Sequence, residues 1–302
     1  MGKNLAETIN KITRDHIFKN NGYVVGQCLS AVGWVQNTVP NIKKNIVEMP
    51  MTETAGAGFA VGMAIANARP IYILRFQSFL WLNSSPLIMH AAKTKELFNY
   101  SSPIFIRAIA SEGFGSGPLH TNCYHSPFAH MPGMPICAPM TPNEYKSIWN
   151  NFMKNNDPLL VSEHRRSYKS SIEFKNLVHH RSKISFFAIS ATRFNIELAQ
   201  SKLKKIGVDV DIFHLVWLKP FKIKKEYIES LNKTGIGIVL DSSYEICSIS
   251  ENIACSLMLK TNAKVYVQGM KDFSPGTSQK LENMTPTSQQ IFDFAAKLLN
   301  KR

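Results

Sequence analysis

The sequence has no apolar run of about 18 residues, so we expect no membrane-spanning helix. Its five cysteines form no C-x-x-C pair, and an odd count argues against a disulfide framework. Charges throughout the first twenty residues argue against a signal peptide, so we expect a reduced, cytoplasmic protein. The sequence also lacks a G-x-G-x-x-G between a strand and a helix, a P-loop and a G-x-S-x-G elbow, which excludes those nucleotide-binding and hydrolase motifs.

Acidic residues are few relative to basic ones. The 302 residues include 21 Asp and Glu against 35 Lys and Arg, which gives a net charge of +14. Such a balance raises nucleic acid, an anionic membrane or an acidic protein as a partner. However, the basic residues are spread along the chain, with only small clusters at 202–205 and 219–225 and no arginine-rich arm. We therefore predict binding to neither nucleic acid nor membrane.

Short apolar segments alternate with helical patterns along the whole chain; residues 86–98, for example, are predicted to form one helix. The predicted strands are apolar on both faces, which is typical of a parallel sheet covered by helices. A polar, basic stretch interrupts this alternation once. The sequence thus predicts an α/β protein of two doubly wound domains: a parallel-sheet domain over residues 1–165, a linker over 166–182 and a smaller domain over 183–302.

Glu53 is the first candidate for chemistry. It follows the predicted strand 46–49 and precedes a helix of small residues, so one interpretation is a helix cap or dipole partner. The functional interpretation is favoured by its position, because parallel sheets place ligands at the carboxyl ends of their strands. The glycines and alanines of 54–68 would also permit close approach of another backbone.

The order and spacing of several short motifs over about 120 residues resemble those of a known family. The chain resembles the beta subunit of the decarboxylating component of 2-oxo acid dehydrogenases and, more distantly, the middle domain of transketolases. These enzymes use thiamine diphosphate. The second domain is similar to the family's C-terminal domain through Leu218-x-Pro220. The motifs are Met49-Pro50-Met51-Thr52-Glu53-Thr54-Ala55-Gly56, Arg75-Phe76-Gln77-Ser78-Phe79, Gly117-Pro118-Leu119-His120-Thr121 and Ala129-His130-Met131-Pro132-Gly133.

The resemblance implies a role for each matching residue around the aminopyrimidine ring of the cofactor. Glu53 would be the proton-relay residue, a carboxyl group against an apolar wall that promotes the imino tautomer. Phe79 would stack on the ring, with Phe76 as the second choice, although either could simply pack in the core. Met51 would lie against the same ring.

His120 matches the family's active-site histidine, which faces the substrate. His125 is a weaker substrate candidate, and His130 is expected to be structural. These three histidines recur at a spacing of five, which would not put them on one helix face, and we predict no metal site among them.

Two departures from the family pattern concern the substrate. Arg75 replaces a family glutamine and Ser78 replaces a family aspartate, so Arg75 could suit a more anionic substrate.

The sequence contains no Gly-Asp-Gly segment followed by paired asparagines, which the family uses to bind Mg²⁺ and the diphosphate. The resemblance therefore implies that this chain supplies only the aminopyrimidine half of the site. An alpha-type subunit would supply the metal and diphosphate half, in an α₂β₂ heterotetramer that also contains a beta–beta contact. A lipoyl acyltransferase is a further possible partner.

Three other functions remain open. The chain could be the C-terminal half of a split transketolase, which transfers ketol groups instead of decarboxylating a 2-oxo acid oxidatively. It could be a non-catalytic subunit that kept the fold, an interpretation supported by Arg75 and by Gln27, which replaces a family acid. The third alternative, which the spread of the basic residues disfavours, is a basic module that binds nucleic acid in a salt-dependent way.

Overall fold

Two sheets organise the computed structural model, which describes residues 3–278, 281 and 284–300. The first has the strand order β2-β1-β3-β4-β6-β5-β9, with β9 antiparallel to β5 and the other neighbours parallel. The second is parallel, in the order β11-β10-β7-β8. The strands are β1 (Val24–Gln27), β2 (Ile46–Met49), β3 (Ile71–Leu74), β4 (Phe105–Ala110), β5 (Ile136–Cys137), β6 (Leu159–His164), β7 (Ile184–Ile189), β8 (Val210–Leu215), β9 (Trp217–Lys219), β10 (Ile236–Tyr244) and β11 (Lys264–Met270).

Helices cover the sheets, and most of the long ones begin at a side-chain cap. Asn4, Ser248 and Thr287 each complete a capping box with the residue three positions on, and Thr141 caps the helix that Pro142 opens. The helices are α1 (Leu5–Lys19), α2 (Glu53–Ile65), α3 (Leu80–Ser85), α4 (Thr94–Phe98), α5 (His125–Ala129), α6 (Pro142–Lys154), α7 (Thr192–Lys205), α8 (Lys225–Thr234), α9 (Ile249–Met258) and α10 (Ser288–Leu299).

The predicted fold class is confirmed. Strands β3, β4, β6 and β7 are buried along their whole length, as the apolar runs indicated. The helix expected over 86–98 is wrong in detail. It begins earlier, as a 3₁₀ turn at Gln77–Phe79, and continues through α3 into a π-helical stretch at Pro86–Ala91. The proline at the junction lacks the amide hydrogen that a regular helix needs there.

Strand β9 was not predicted from the sequence. Trp217–Lys219 lies just after β8 of the second sheet, yet it pairs antiparallel with Ile136–Cys137 of the first. The second half of the chain thus extends the first sheet by one strand. The limits of the proposed linker over 166–182 stay a prediction, and Tyr168 within it is buried against the first sheet.

The loop after β1 contains a turn that the sequence did not indicate. Residues 32–36 have φ between +51° and +60°, the left-handed region that L-residues disfavour by about 1–2 kcal/mol each. The turn ends at Thr38, whose hydroxyl donates to the carbonyl of Val35 at 2.7 Å. The same hydroxyl oxygen accepts a hydrogen bond from Arg107 at 3.0 Å, so the turn supplies a partner to a buried charge.

A buried ion pair joins the central strands of the first sheet. Arg107 on β4 donates to Glu163 on β6 through Nε at 2.6 Å and Nη2 at 2.9 Å, and neither side chain reaches solvent. The hydroxyls of Tyr145 and Tyr168 donate to the same carboxylate at 2.8 and 2.6 Å. Such extensive pairing is required because an unpaired charge in a protein interior is strongly destabilising.

No helix among the described residues is long and apolar enough to cross a membrane.

Glu163→Gln should lower the free energy of unfolding by about 3–5 kcal/mol, because it leaves the Arg107 guanidinium buried without a counter-ion. Urea denaturation followed by circular dichroism measures the loss. The matched control is Tyr168→Phe, which removes one hydrogen bond to the carboxylate but keeps the ion pair, and should cost about 1–3 kcal/mol. Equal losses in the two variants would contradict a dominant role for the ion pair.

Candidate functional site

The carboxyl edge of the first sheet brings the sequence-predicted residues together. Because β2, β3, β4 and β6 run parallel, their last residues lie along one edge. Glu53 follows β2, the motif 75–79 follows β3, the glycine-rich segment to His120 follows β4, and Arg165 follows β6. Edges of this kind are where parallel sheets bind ligands.

Glu53 is the first residue of α2 and is partly exposed. The expected position against an apolar wall is not seen in this chain, because the neighbouring residues 51, 52, 54 and 55 face solvent. Among the described residues, no donor hydrogen-bonds the Glu53 carboxylate. Burial and, secondly, the charge of Glu53 raise the pKa of Tyr72, whose hydroxyl lies beside Gly56 in the first turn of α2.

Tyr72 connects this region to Phe79. Its hydroxyl donates to Oδ1 of Asn83 at 2.6 Å, and Nδ2 of Asn83 donates to the carbonyl of Phe79 at 2.8 Å. Asn83 is buried, so its amide is fixed by these two bonds. Met51, the other proposed ring contact, has 62% of its surface exposed. The start of α2 is bonded to α3 as well, since the hydroxyl of Thr54 donates to the carbonyl of Leu82 at 2.9 Å.

His120 stacks on Phe76, with ring centroids 4.3 Å apart and an interplanar angle of 17°. Phe79 meets the same imidazole edge-on at 5.3 Å, and the Ser78 hydroxyl lies 3.0 Å from Nδ1. Burial lowers the pKa of His120, the backbone of Leu119 opposes this shift, and the nearby guanidinium of Arg165 adds to it. The ring is therefore neutral at pH 7 and is able to accept a proton.

Two guanidinium groups flank the same aromatic cluster. Arg165 lies over the Phe76 ring at 4.8 Å from its centroid and Arg75 at 5.9 Å. Arg165 donates to the hydroxyl of Ser111 at 2.6 Å and to the carbonyl of Arg75 at 3.0 Å. Among the described residues, the buried Nε atom of each arginine has no hydrogen-bond partner. The site is thus electropositive beside His120.

Sequence reasoning missed Arg165 and Gln77. Gln77 is fully buried; its Nε2 donates to Ser162 at 2.8 Å and to the carbonyl of Glu163 at 3.3 Å, and its Oε1 accepts from the amide of Tyr124 at 2.6 Å. It therefore fixes the motif after β3 to the end of β6. A signal for Arg165 existed, since a basic residue directly follows the carboxyl end of a predicted parallel strand.

His125 does not join the other candidates, which corrects its assignment as a substrate residue. The side chain has no exposed surface, and its Nε2 lies 3.0 Å from Oδ2 of Asp241 in the second domain. Its Nδ1 lies 3.0 Å from the Ser162 hydroxyl and 3.2 Å from the Cys123 thiol. Although burial alone would lower the pKa of His125, Asp241 and Cys123 raise it well above its ordinary value. The pair joins the two domains.

His130 is exposed, at the end of α5. Within the described ranges, no group of three or more His, Cys, Asp or Glu side chains is arranged to hold a metal ion.

Family models match most of the chain. The transketolase pyrimidine-binding domain matches residues 14–171, and the transketolase C-terminal domain matches residues 175–291. These matches confirm the family resemblance that the motifs predicted.

The curated relatives are identical to this chain at about one aligned residue in four. The beta subunit of acetoin:2,6-dichlorophenolindophenol oxidoreductase from Cupriavidus necator is 26% identical over 225 residues, which span 70% of this chain and 66% of that protein. The 2-oxoisovalerate dehydrogenase subunit beta of Bacillus subtilis is 25% identical over 252 residues, spanning 77% and 76%. The pyruvate dehydrogenase E1 component subunit beta of the same organism is 22% identical over 302 residues, spanning 92% and 93%.

Solved structures share the fold at lower identity. A split gene transketolase, described as an inactive beta4 tetramer, superimposes with a TM-score of 0.77 at 14% identity and covers 99% of both chains. Transketolase from Campylobacter jejuni gives 0.74 at 16% identity, over 98% of this chain and 46% of that one. Both support the two-domain architecture described above.

NMR titration should distinguish the protonation states of His120 and His125. We expect His120 to be neutral at pH 7 and His125 to be protonated. Asp241→Asn removes the charge that opposes desolvation, so the pKa of His125 should fall below its ordinary 6.5 while that of His120 stays unchanged. Imidazole chemical shifts followed across the titration give both values. A His125 that titrates near 6.5 in both proteins would contradict the ion pair.

The same pair predicts a pH dependence of stability. Because folding raises the pKa of His125, the pair's contribution is complete below the unfolded value of 6.5 and is lost as pH rises through the higher folded value. The difference in unfolding free energy between wild type and Asp241→Asn should therefore be largest at acidic pH and decrease towards alkaline pH. Chemical denaturation at several pH values measures it, and a difference that grows with pH would refute the assignment.

Proposed function

We propose a function from one established premise: the chain belongs to the transketolase pyrimidine-binding domain family. We infer that it is the beta-type subunit of a thiamine-diphosphate enzyme that cleaves a carbon–carbon bond next to a carbonyl, by oxidative decarboxylation of a 2-oxo acid. The observation that carries the proposal is the position of the Glu53 carboxylate at the carboxyl edge of the sheet, near an aromatic cluster. Among the described residues, no donor forms a hydrogen bond with this carboxylate.

The curated relatives support the reaction class. Their names assign them to beta subunits of acetoin, 2-oxoisovalerate and pyruvate oxidoreductases or dehydrogenases. Two of the three matches span about three quarters or more of the relative as well as of this chain. The likeness therefore extends over both domains and is not confined to one motif.

The residues present fit the aminopyrimidine half of thiamine diphosphate. A carboxylate with free acceptor positions suits a ring nitrogen, and Phe79 and Phe76 offer flat apolar surfaces beside it. Met51 is exposed on the preceding loop and is positioned to contact a group that enters from outside. When bound, the cofactor would supply a nucleophilic carbon and a sink for the electrons released on bond cleavage.

This chain's own residues would bind, orient and move protons. Glu53 would hold the ring and exchange a proton with it, which is the role of a general acid–base group at hydrogen-bond distance. His120, neutral and hydrogen-bonded to Ser78, would face the substrate and accept or donate a proton there. Gln77 and Arg165 would act as positioning residues, since each is anchored to strand ends rather than free to reach the cofactor.

An alpha-type subunit would complete the site with Mg²⁺ and the diphosphate-binding segment, because the sequence has no Gly-Asp-Gly motif. Exposed apolar side chains around α2 and α3 are consistent with contacts to another polypeptide. A beta–beta contact and a lipoyl acyltransferase are further proposed partners. The most exposed of the apolar residues in this region are Met51, Phe59, Trp81, Leu82 and Met89.

A split transketolase is the second candidate, and a specific observation favours it. Arg75 and Arg165 put two guanidinium groups beside His120, where they would suit a substrate that carries an additional anionic group. A protein described as a split gene transketolase also has the fold of this chain over 99% of both chains.

Glu53→Gln should reduce turnover about 100-fold or more in the enzyme reconstituted with the partner chain that carries the diphosphate motif. The amide keeps the shape of the carboxylate but cannot exchange the proton, so cofactor binding by calorimetry should persist. Ser84→Ala, on the neighbouring helix and bonded only to the Trp81 carbonyl in the described structure, is the control and should retain activity. A fully active Glu53→Gln enzyme would contradict the proposal.

Arg75→Gln should shift substrate preference away from anionic substrates. We expect kcat/KM for a phosphorylated ketose or a 2-oxo dicarboxylate to fall about tenfold, with little change for pyruvate, because one charge-assisted contact is lost. Kinetics of the reconstituted pair measure the ratio. An unchanged ratio would remove Arg75 from substrate selection without affecting the assignment of Glu53.

A further inference from the structure

A large cavity lies at the edge of the first sheet opposite to Glu53 and His120. Its volume is about 630 Å³, within the range of about 300–1,000 Å³ that is typical of small-molecule sites. Pro158 and Leu159 line it, at the amino end of β6, whereas Arg165 follows the carboxyl end of the same strand. The six residues of β6 span roughly 16 Å at about 3.3 Å per residue, so the cavity is separate from the candidate active site.

The cavity is formed by both domains. Helix α6 of the first domain provides one wall, and the segment from the end of β8 to the start of α8 provides the other. Domain junctions are a preferred place for ligand pockets. Four aromatic side chains lie around it: Phe152, Trp217, Phe221 and Tyr227. The rings of Phe221 and Tyr227 are nearly parallel, with an interplanar angle of 9°. Phe152 and Tyr227 are buried, whereas Trp217 and Phe221 are partly exposed, so these two offer flat apolar surfaces to a ring system.

The uncompensated charge at the cavity is positive. Of its two acidic residues, Glu144 is paired with the buried Arg193 and Asp157 with Lys95. Lys222 is exposed and, within the described part of the chain, has no ion pair or hydrogen bond. Lys224 lies over the Tyr227 ring at 5.6 Å and contacts Glu226 only at 3.6 Å. Both lysines belong to the basic cluster at 219–225, which the proposed reaction does not use.

His214 adds a buried acceptor. Its Nε2 lies 3.1 Å from the Glu197 carboxylate, and its Nδ1 has no partner among the described residues. Burial lowers the pKa of His214, although Glu197 opposes the shift, so the ring is neutral at pH 7. With the Nε2 hydrogen directed to Glu197, Nδ1 carries a free lone pair.

We propose that this cavity binds a small molecule that joins a flat aromatic ring to an anionic group. The ring packs among the aromatic side chains, and the anionic group pairs with Lys222 and Lys224 at the rim. Because the walls come from both domains, the bound molecule contacts both. This site goes beyond the proposed reaction and does not depend on it, since it shares no residue with the edge that carries Glu53.

Calorimetric titration of the full chain with naphthalene-2-sulfonate, and in parallel with the uncharged 2-naphthylmethanol, tests the proposal. We expect one saturable site for the sulfonate, with affinity that decreases as salt is added. Lys222→Gln should weaken the sulfonate about twofold to fivefold and leave the alcohol unchanged, because the lost interaction is an exposed charge pair. Lys204→Gln, an exposed lysine on α7 away from the cavity, is the matched control and should bind as wild type does.

A second variant tests the location. Ser147→Trp adds a bulky ring from an exposed position of α6 that lines the cavity, so it should reduce the affinity for both probes at least tenfold. Circular dichroism confirms that the variant is folded. The proposal is overturned if wild type shows no saturable binding of the sulfonate, or if Lys222→Gln and Ser147→Trp both bind it as wild type does.

Discussion

The buried ion pair between Arg107 and Glu163 is the interaction on which the rest of the first domain depends. Its carboxylate accepts hydrogen bonds from two guanidinium nitrogens and two tyrosine hydroxyls, drawn from β4, α6 and the segment after β6. The backbone carbonyl of the same Glu163 accepts from Gln77. One residue therefore links the interior of the sheet to the motif after β3, and the geometry of the carboxyl edge follows from it.

Charged and polar side chains also fix the junction between the domains. His125 meets Asp241, Arg193 meets Glu144, and Glu112 accepts hydrogen bonds from the backbone and hydroxyl of Thr285. Buried charges need their partners, so any relative displacement of the domains would expose unpaired groups at a high cost in free energy. The second domain thus supplies bonding partners to residues near the carboxyl edge of the first domain, whereas Glu53 and His120 both belong to the first domain.

The carboxyl edge of the first sheet combines aromatic rings with positive charge. The His120 imidazole stacks on Phe76, two guanidinium groups lie over that same phenylalanine ring, and Arg165 is held by Ser111 and by the backbone carbonyl of Arg75. The positive field is built into the fold, because both arginines are attached to strand ends. At the opposite edge of the sheet, the interdomain cavity forms a second positive region, in which exposed Lys222 lies beside aromatic side chains.

The sequence alone determined the alternation of strands and helices, and hence the parallel sheets, because apolar runs and caps are local signals. The order of the motifs also identified Glu53, Phe79 and His120 as candidate site residues. The absence of Gly-Asp-Gly from the printed sequence needed no structure to establish. Boundaries were less certain, as the helix expected over 86–98 illustrates.

Only the tertiary structure decided what those residues contact. It placed His125 in a buried pair with Asp241, assigned Arg165 and Gln77 to the site, and brought Trp217–Lys219 into the first sheet. These outcomes depend on contacts between residues separated by tens to more than a hundred positions, and no local periodicity records which distant partner a side chain meets. The cavity between the domains has the same origin, since its walls come from segments far apart in sequence.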